Sequence, residues 1–232
     1  MIEKRARILE NYHLGEMMRI NAGRLGERCG KAAIELLSSR LAEALESPED
    51  DRYTYIWRRA IEDHAQNDED KSYRSVMVDA LRDATLAFAI TRHADVEEVV
   101  GKLLISEYPT LVRIGIFICG ERYFDLDSVF WHSCKNEWFS ESAYWHEVFW
   151  LIKKSFRYFS LAQRANFFDL INASLIHRNG VGEKSMLEIH KRDLLYPAFG
   201  LGDSRIDIEF NKLIERYGQP GEHVDFHIYS TG

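Results

Sequence analysis

Residues 144–176 read YWHEVFWLIKKSFRYFSLAQRANFFDLINASLI, and this stretch decides the fold class that we predict for the chain. Its large apolar residues recur at steps of three and four, which places them on one face of an α-helix. The pattern predicts two such helices joined by a short turn near Phe159 and Ser160. The first apolar face carries Trp145, Val148, Phe149, Ile152 and Phe156, and the second carries Leu161, Ala165, Phe168, Ile171 and Leu175. Both faces are expected to be buried, with Trp145 and Phe149 in the core.

The same periodicity continues through most of the chain. We predict further helices at about residues 2–20, from there to about 46, and at 53–64, 73–91, 94–105, 125–138, 184–196 and 204–217. Asn21, Gly23 and Gly26 are predicted to interrupt the first two of these helices.

Residues 111–118, LVRIGIFI, are rich in β-branched side chains and fit a buried strand as well as a helix. The helical prediction is preferred because Pro109 suits the first turn of a helix and because Leu111, Ile114 and Ile118 keep helical spacing. A strand in this place would also have no visible partner.

These segments together predict an all-α protein. Helix pairs recur at intervals of about 40 to 50 residues, which is typical of an α-solenoid such as a stack of HEAT-like repeats. An irregular globular helical bundle is the alternative. We predict an N-terminal helical pair at 1–47, a polar break at 47–51, a helical-repeat domain at 53–221 and a flexible tail at 222–232. Because no polar capping repeat closes the chain, we expect it to be either a fragment of a longer array or a truncated relative of one.

Composition indicates a soluble, cytoplasmic globular protein. Hydrophobic residues make up 46% of the chain and charged residues 29%, and no apolar run approaches the length of a membrane span. The cysteines are odd in number and widely spaced, so Cys29, Cys119 and Cys134 are predicted to be small buried hydrophobes in a reducing compartment.

The net charge of −7 argues against nucleic acid as a partner, because proteins that bind nucleic acid usually neutralise phosphates with a basic stripe. The short basic clusters of the chain lie among acids and are explained by solvated helix faces. We therefore expect a protein partner, and neither a nucleic acid nor a membrane.

No catalytic residue, metal ligand or cofactor is predicted. The stretch from Gly26 to Ala32 fails as a phosphate-binding loop because Leu25 stands where the first glycine is needed and Ala32 where a hydroxyl is needed. His146 and Glu147 fail as a zinc-protease helix because position 150 is Trp150 rather than a second histidine.

The most distinctive segment is WRRAIEDHAQN at 57–67, followed by LRDA at 81–84. On a helix, Trp57, Ile61 and His64 would share an inward face, with Arg58 and Glu62 paired on the flank. Asp63 near the C-terminus of that helix would need a positive partner, and we expect Arg82 or Arg59. The candidate binding residues are Arg59, Glu62, Asp63, His64, Asn67 and Arg82.

These motifs resemble the helical-repeat regions that follow the enzymatic domains of large bacterial multidomain proteins, among them STAND-type NTPases and sirtuin-like anti-phage defence proteins. The resemblance extends over about residues 53–220. It implies a sensing or scaffolding module whose enzyme lies elsewhere, since the chain has no NTPase or NADase motif.

Three functions remain open at this stage. The first is a non-enzymatic protein-interaction or sensing module, and the second is a helical protein associated with nucleic acid. The third is an enzyme with an unrecognised site, for which Glu62, Asp63 and His64 are the residues to test.

Overall fold

The computed structural model describes residues 11–64, 67, 72–91, 94–178 and 184–221, with the side chains of 176–178 left out. Within these ranges every regular element is helical and no strand occurs, so the all-α prediction is confirmed. The helices are α1 (Asn11–Leu45), α2 (Pro48–Asp51), α3 (Thr54–Trp57), α4 (Tyr73–Ile90), α5 (Val96–Leu104), α6 (Pro109–Glu121), α7 (Tyr123–Ser133), α8 (Glu137–Ser140), α9 (Trp145–Ser155), α10 (Leu161–Arg178), α11 (Lys184–Leu195) and α12 (Ser204–Tyr217). Short 3₁₀ turns follow α9 at Phe156–Tyr158 and α11 at Tyr196–Ala198.

The contacts divide the chain into two compact units, Met1–Ile118 and Cys119–Gly232, with the division inside α6. The predicted polar break at 47–51 follows the end of α1 at Leu45 and is itself mostly helical, because α2 spans Pro48–Asp51. The Ser47 side chain accepts the Asp50 N–H as the N-cap of α2. The predicted tail at 222–232 and the first residues of the predicted N-terminal helix lie outside the described residues.

In the first unit, α1 packs along α4, and glycine makes the close approach possible. A Cβ atom on Gly26 would lie 1.9 Å from the main-chain oxygen of Ala84. The interruption that we predicted at Asn21, Gly23 and Gly26 is wrong, because helix continues through them. The non-helical residue is Gly30, at φ 51° and ψ −131°, a conformation that glycine adopts without a Cβ clash.

The predicted helix over 53–64 is also wrong beyond Trp57, where α3 ends. Arg58 is extended, with φ −131° and ψ 91°, and the chain runs irregularly to His64. A common helical face for Trp57, Ile61 and His64 therefore does not exist. Ile61 is fully buried nonetheless, whereas Trp57 and His64 are half-buried.

Residues 109–121 form helix α6, which confirms the preference for helix over strand and the position of Pro109 in its first turn. Inside this helix Arg113 is fully buried. Its guanidinium group reaches back to the irregular segment that follows α3, as its hydrogen bonds show.

In the second unit, the predicted helix at 125–138 is two helices, α7 and α8, because Cys134 turns to an extended conformation with ψ 131°. The predicted turn near Phe159 and Ser160 is confirmed. It is closed by a reciprocal cap, in which the Ser160 hydroxyl oxygen accepts the Gln163 N–H and the Gln163 side chain accepts the Ser160 N–H.

The buried face of α10 is rotated from the one that we predicted. Phe167, Ile171 and Ser174 are buried, whereas Leu161 is 83% exposed. Phe167 sets this orientation by packing edge-to-face on Phe139 and Phe156.

Phe149 is buried as predicted, but Trp145 is only half-buried and stacks on His190 at 4.7 Å between ring centroids. Of the cysteines, Cys119 is buried, Cys134 is half-buried and Cys29 is exposed, so the burial predicted for Cys29 is wrong. None of the helices in the described ranges has the length and apolar character that crossing a bilayer requires.

Candidate functional site

A polar cavity of about 360 Å³ opens in the first unit, between the start of α1, the segment after α3 and the middle of α4. Its volume falls within the range of about 300–1,000 Å³ that is usual for small-molecule sites. The polar residues of its wall are Asn11, Tyr12, Glu16, Arg19, Arg58, Asp63, His64, Asn67, Asp79, Arg82 and Asp83. We name this feature the α1–α4 cavity.

Arg58 is the first residue after α3, and it is 2% exposed. Its Nε donates to the carbonyl of Ala60 at 2.9 Å, its Nη1 to the hydroxyl of Ser75 at 3.1 Å, and its Nη2 to Asp79. Burial lowers the pKa of Arg58, and the charge and hydrogen bond of Asp79 oppose that change. The flank pair that we predicted between Arg58 and Glu62 is wrong, because this arginine points inward to Asp79.

Arg82 on α4 is the second buried guanidinium of the cavity wall. Its Nη1 lies 2.7 Å from Asp63 and 3.2 Å from Asp79, and its Nε lies 2.7 Å from Asp83. The same Nη1 donates to the carbonyl of Ile61 at 2.9 Å. The prediction that Arg82 compensates the charge of Asp63 is confirmed, and α4 supplies two further carboxylates to the same group.

Asn67 is 7% exposed and connects the two ends of the irregular segment. Its Nδ2 donates to the carbonyls of Ala60 at 2.9 Å and Glu62 at 3.0 Å, which fixes the orientation of the amide. Its main-chain N–H donates to the carbonyl of His64 at 2.8 Å. The side-chain Oδ1 is buried and accepts no hydrogen bond from any described residue.

Of the candidate residues named from the sequence, Asp63, His64, Asn67 and Arg82 line the cavity together. Arg59 and Glu62 are not part of its wall. They contribute main-chain carbonyls instead, since Arg59 O accepts from Arg113 at 3.0 Å and Glu62 O from Asn67.

Sequence reasoning missed Arg58, Asp79 and Asp83 as wall residues, and also the polar residues of α1. One signal was present for the acids: Asp79 and Asp83 are spaced four residues apart, with Arg82 beside them, in a part of α4 (76–90) whose other residues are apolar except for one threonine. Charged residues on such a helix need partners, so they mark a polar site.

The charged residues of the wall are arranged as ion pairs and not as a proton-transfer site. The carboxylates surround a guanidinium group, and the described part of the chain contains no group of three or more histidines, cysteines or acids placed to hold a metal ion. The lining residues include no serine, threonine or cysteine next to His64 that would form a nucleophile–base pair.

No protein-family model matches the chain, and no curated protein and no solved structure matches it either.

Proposed function

We propose that the chain is a non-enzymatic helical module that binds a ligand in the α1–α4 cavity and acts in sensing or interaction. The observation that carries the proposal is the cavity itself: about 360 Å³ of space bounded by charged groups on three separate segments of the first unit. A cavity that joins three segments couples ligand binding to their relative positions, which is what a sensing module needs.

The non-enzymatic character is supported by how the charges of the wall are used. Both arginines are buried and hold Asp63, Asp79 and Asp83 together with main-chain carbonyls. A general acid or base must exchange its proton with a substrate. Carboxylates that are held by guanidinium groups are better suited to binding a charged group of a ligand than to exchanging a proton with a substrate.

The test compares two tryptophan substitutions on α1. Met18 lines the cavity and is half-buried, whereas Met17 is exposed and does not line it. Met18→Trp is expected to fill part of the space, and Met17→Trp is its matched control.

Each variant is purified, its melting temperature is measured, and the small molecules that it retains from a cell extract are identified by mass spectrometry. We expect the wild type and Met17→Trp to retain the same compound with its mass unchanged, and Met18→Trp to lose it. A compound that is chemically converted on incubation, or one that Met18→Trp retains equally well, contradicts the proposal.

The proposal also covers the repeat organisation of the chain, its relationship to known helical regions and its location in the cell. We propose a HEAT-like helical-repeat organisation, related to the regions that accompany bacterial STAND-type NTPases and sirtuin-like defence proteins, and a cytoplasmic location. The succession of helices and the three free cysteines support these features.

A protein partner is the second candidate function, and a surface of the second unit favours it. Phe124 is 74% exposed, Tyr158 is half-exposed, and their rings lie 4.6 Å apart. Leu161, three residues after Tyr158, is also exposed. Exposed aromatic side chains in contact with each other are typical of docking sites for proteins.

Phe124→Asp tests this second function. The variant is expected to keep the melting temperature of the wild type but to lose a partner that crosslinking identifies with the wild type. Phe139→Ala, at a buried ring of the same unit, should instead lower the melting temperature. Crosslinks that are unchanged in Phe124→Asp would remove this surface as the docking site.

A further inference from the structure

We propose that the α1–α4 cavity binds a small organic cation, through an ammonium or guanidinium group of the ligand. The inference rests on the proposed function and names the chemical class of the ligand. It is drawn from the accessibility of the charges, their balance, and an acceptor in the wall that is not satisfied.

The two buried guanidinium groups of the wall are covered and the carboxylates beside them are accessible, whereas Arg19 of α1 is 69% exposed. The side chains of Arg58 and Arg82 are 2% and 7% exposed, whereas those of Asp79 and Asp63 are 43% and 89% exposed. Asp83 is also partly accessible. A molecule that approaches Asp63 and Asp79 therefore meets their carboxylate oxygens before it meets the guanidinium groups of Arg58 and Arg82.

The charges of this cluster do not balance. Asp63, Asp79 and Asp83 carry three negative charges against the two positive charges of Arg58 and Arg82, which leaves one negative charge in excess. Among the described residues of the wall, the further ion pair of Glu16 with Arg19 at 3.2 Å adds no net charge.

Asn67 supplies an independent observation. It is more than nine-tenths buried, lines the cavity, and has an Oδ1 that accepts no hydrogen bond from the described residues. An unsatisfied buried acceptor costs about 1–3 kcal/mol. An N–H donor that reached this oxygen would remove that cost.

A metal ion or an anion fits the wall less well. The three aspartates diverge around the guanidinium of Arg82 instead of converging on an empty point, so they do not form a coordination sphere. An anion would have to pass the accessible carboxylates to reach Arg58 and Arg82, which already donate to protein acceptors, and the exposed guanidinium of Arg19 is paired with Glu16. An organic cation needs only acceptors, and it fits a volume far larger than that of a single ion.

The experiment measures binding by isothermal titration calorimetry on the full chain with defined probes. The cations are 1,4-diaminobutane and agmatine, the neutral analogue is 1,4-butanediol, and inorganic phosphate and Mg²⁺ represent anions and metals. A blocked Gly-Lys-Gly peptide distinguishes a partner's side chain from a free amine. Asp63→Asn removes one accessible carboxylate of the wall, and Glu27→Gln removes an exposed carboxylate of α1 outside the wall.

We expect at least one of the three amine or guanidinium probes to bind and 1,4-butanediol not to bind. Asp63→Asn should weaken that binding by about threefold to tenfold, and Glu27→Gln should leave it unchanged. Added salt should also weaken the binding of the cation to the wild type, because salt screens accessible charges. Tighter binding of the peptide assigns the cation to a partner's side chain, and tighter binding of the free amine assigns it to a small molecule.

Binding of phosphate, Mg²⁺ or the neutral diol in place of the cations overturns the inference. So does equal weakening by Asp63→Asn and Glu27→Gln, or the absence of binding by every cation. The proposed function is judged separately by the pair Met18→Trp and Met17→Trp. If only Met18→Trp loses a retained compound, and this compound carries no ammonium or guanidinium group, the cavity is a binding site but its ligand is not an organic cation.

Discussion

At the scale of single residues, side chains take over the hydrogen bonds that a helix would supply after Trp57. Five consecutive main-chain carbonyls, those of residues 58–62, each accept a hydrogen bond from a side chain. The donors are Arg58, Asn67, Arg82 and Arg113. Buried carbonyls must be paired, so these donors permit the irregular segment that forms one wall of the cavity.

Arg113→Met tests this account. The guanidinium of Arg113 donates to Arg58 O at 2.7 Å, Arg59 O at 3.0 Å and the hydroxyl of Thr54 at 3.1 Å. Methionine keeps much of the apolar bulk but leaves these buried acceptors without that donor, so we expect the free energy of unfolding to fall by about 3 kcal/mol or more. Urea denaturation measures it.

Arg28→Met is the control, because Arg28 is an exposed arginine of α1. It should change the free energy of unfolding by no more than about 0.5 kcal/mol. Equal stabilities for the Arg113 and Arg28 variants would show that the carbonyls find other donors.

Asp51 is expected to make stability depend on pH. Burial raises its pKa from 3.8 to about 6, against the lowering effects of its hydrogen bonds from Thr110 and of the charge of Arg113. Between about pH 4 and pH 6 the folded chain holds a proton that the unfolded chain has released. The contribution of Asp51 to stability is therefore complete below pH 4 and is lost as the pH rises through 6.

Asp51→Asn removes this proton exchange. Relative to the wild type, its free energy of unfolding should rise by an amount on the order of 2 kcal/mol between pH 4 and pH 7. Urea denaturation at both pH values gives the difference. Glu49→Gln, at an exposed neighbour, should keep the pH dependence of the wild type. A parallel pH dependence of wild type and Asp51→Asn would contradict the role of Asp51.

At the scale of helices, the packing of α1 on α4 depends on the absence of a side chain at Gly26. The Cβ of an alanine there would lie 1.9 Å from Ala84 O, and main-chain atoms of a helix cannot move aside alone. At Gly23, one turn earlier, the nearest atom would be Ala87 Cβ at an ordinary 3.7 Å. The two glycines thus differ in packing although both lie within α1.

Gly26→Ala is expected to lower the free energy of unfolding by at least about 1–3 kcal/mol, because α1 and α4 must separate locally. Gly23→Ala should be neutral or stabilising by up to about 1 kcal/mol, because alanine favours helix. Thermal melting followed by circular dichroism measures both. A Gly26→Ala variant as stable as Gly23→Ala would refute the close contact.

At the scale of the whole molecule, the charge of the chain limits its partners. The net charge is −7, and part of this excess is formed by accessible carboxylates of the cavity. Duplex DNA is bound by releasing counterions from phosphates, which needs a basic surface. We therefore expect no duplex binding tighter than about 1 μM at about 150 mM salt, as judged by gel shift. A sub-micromolar complex at that salt would contradict this expectation.

The sequence by itself determined the all-α class, helix rather than strand at 111–118, the turn near Phe159 and Ser160, and a choice of Arg82 or Arg59 as the partner of Asp63, of which Arg82 forms the ion pair. The helices follow from local periodicity and the turn from its residue types. The ion pair follows from an acidic residue that requires a positive partner and has few candidates for it. Periodicity is a property of neighbouring residues, so one chain is enough to detect it.

Only the tertiary structure decided where helices stop and what the cavity contains. The helix ends at Trp57 and Ser133 and the kink at Gly30 were not predicted, and neither were the wall roles of Arg58 and Asp79. Arg113 supplies hydrogen bonds to residues more than fifty positions away. Such donors replace helical hydrogen bonds, and the energy that stabilises the segment therefore comes from contacts that local sequence does not contain.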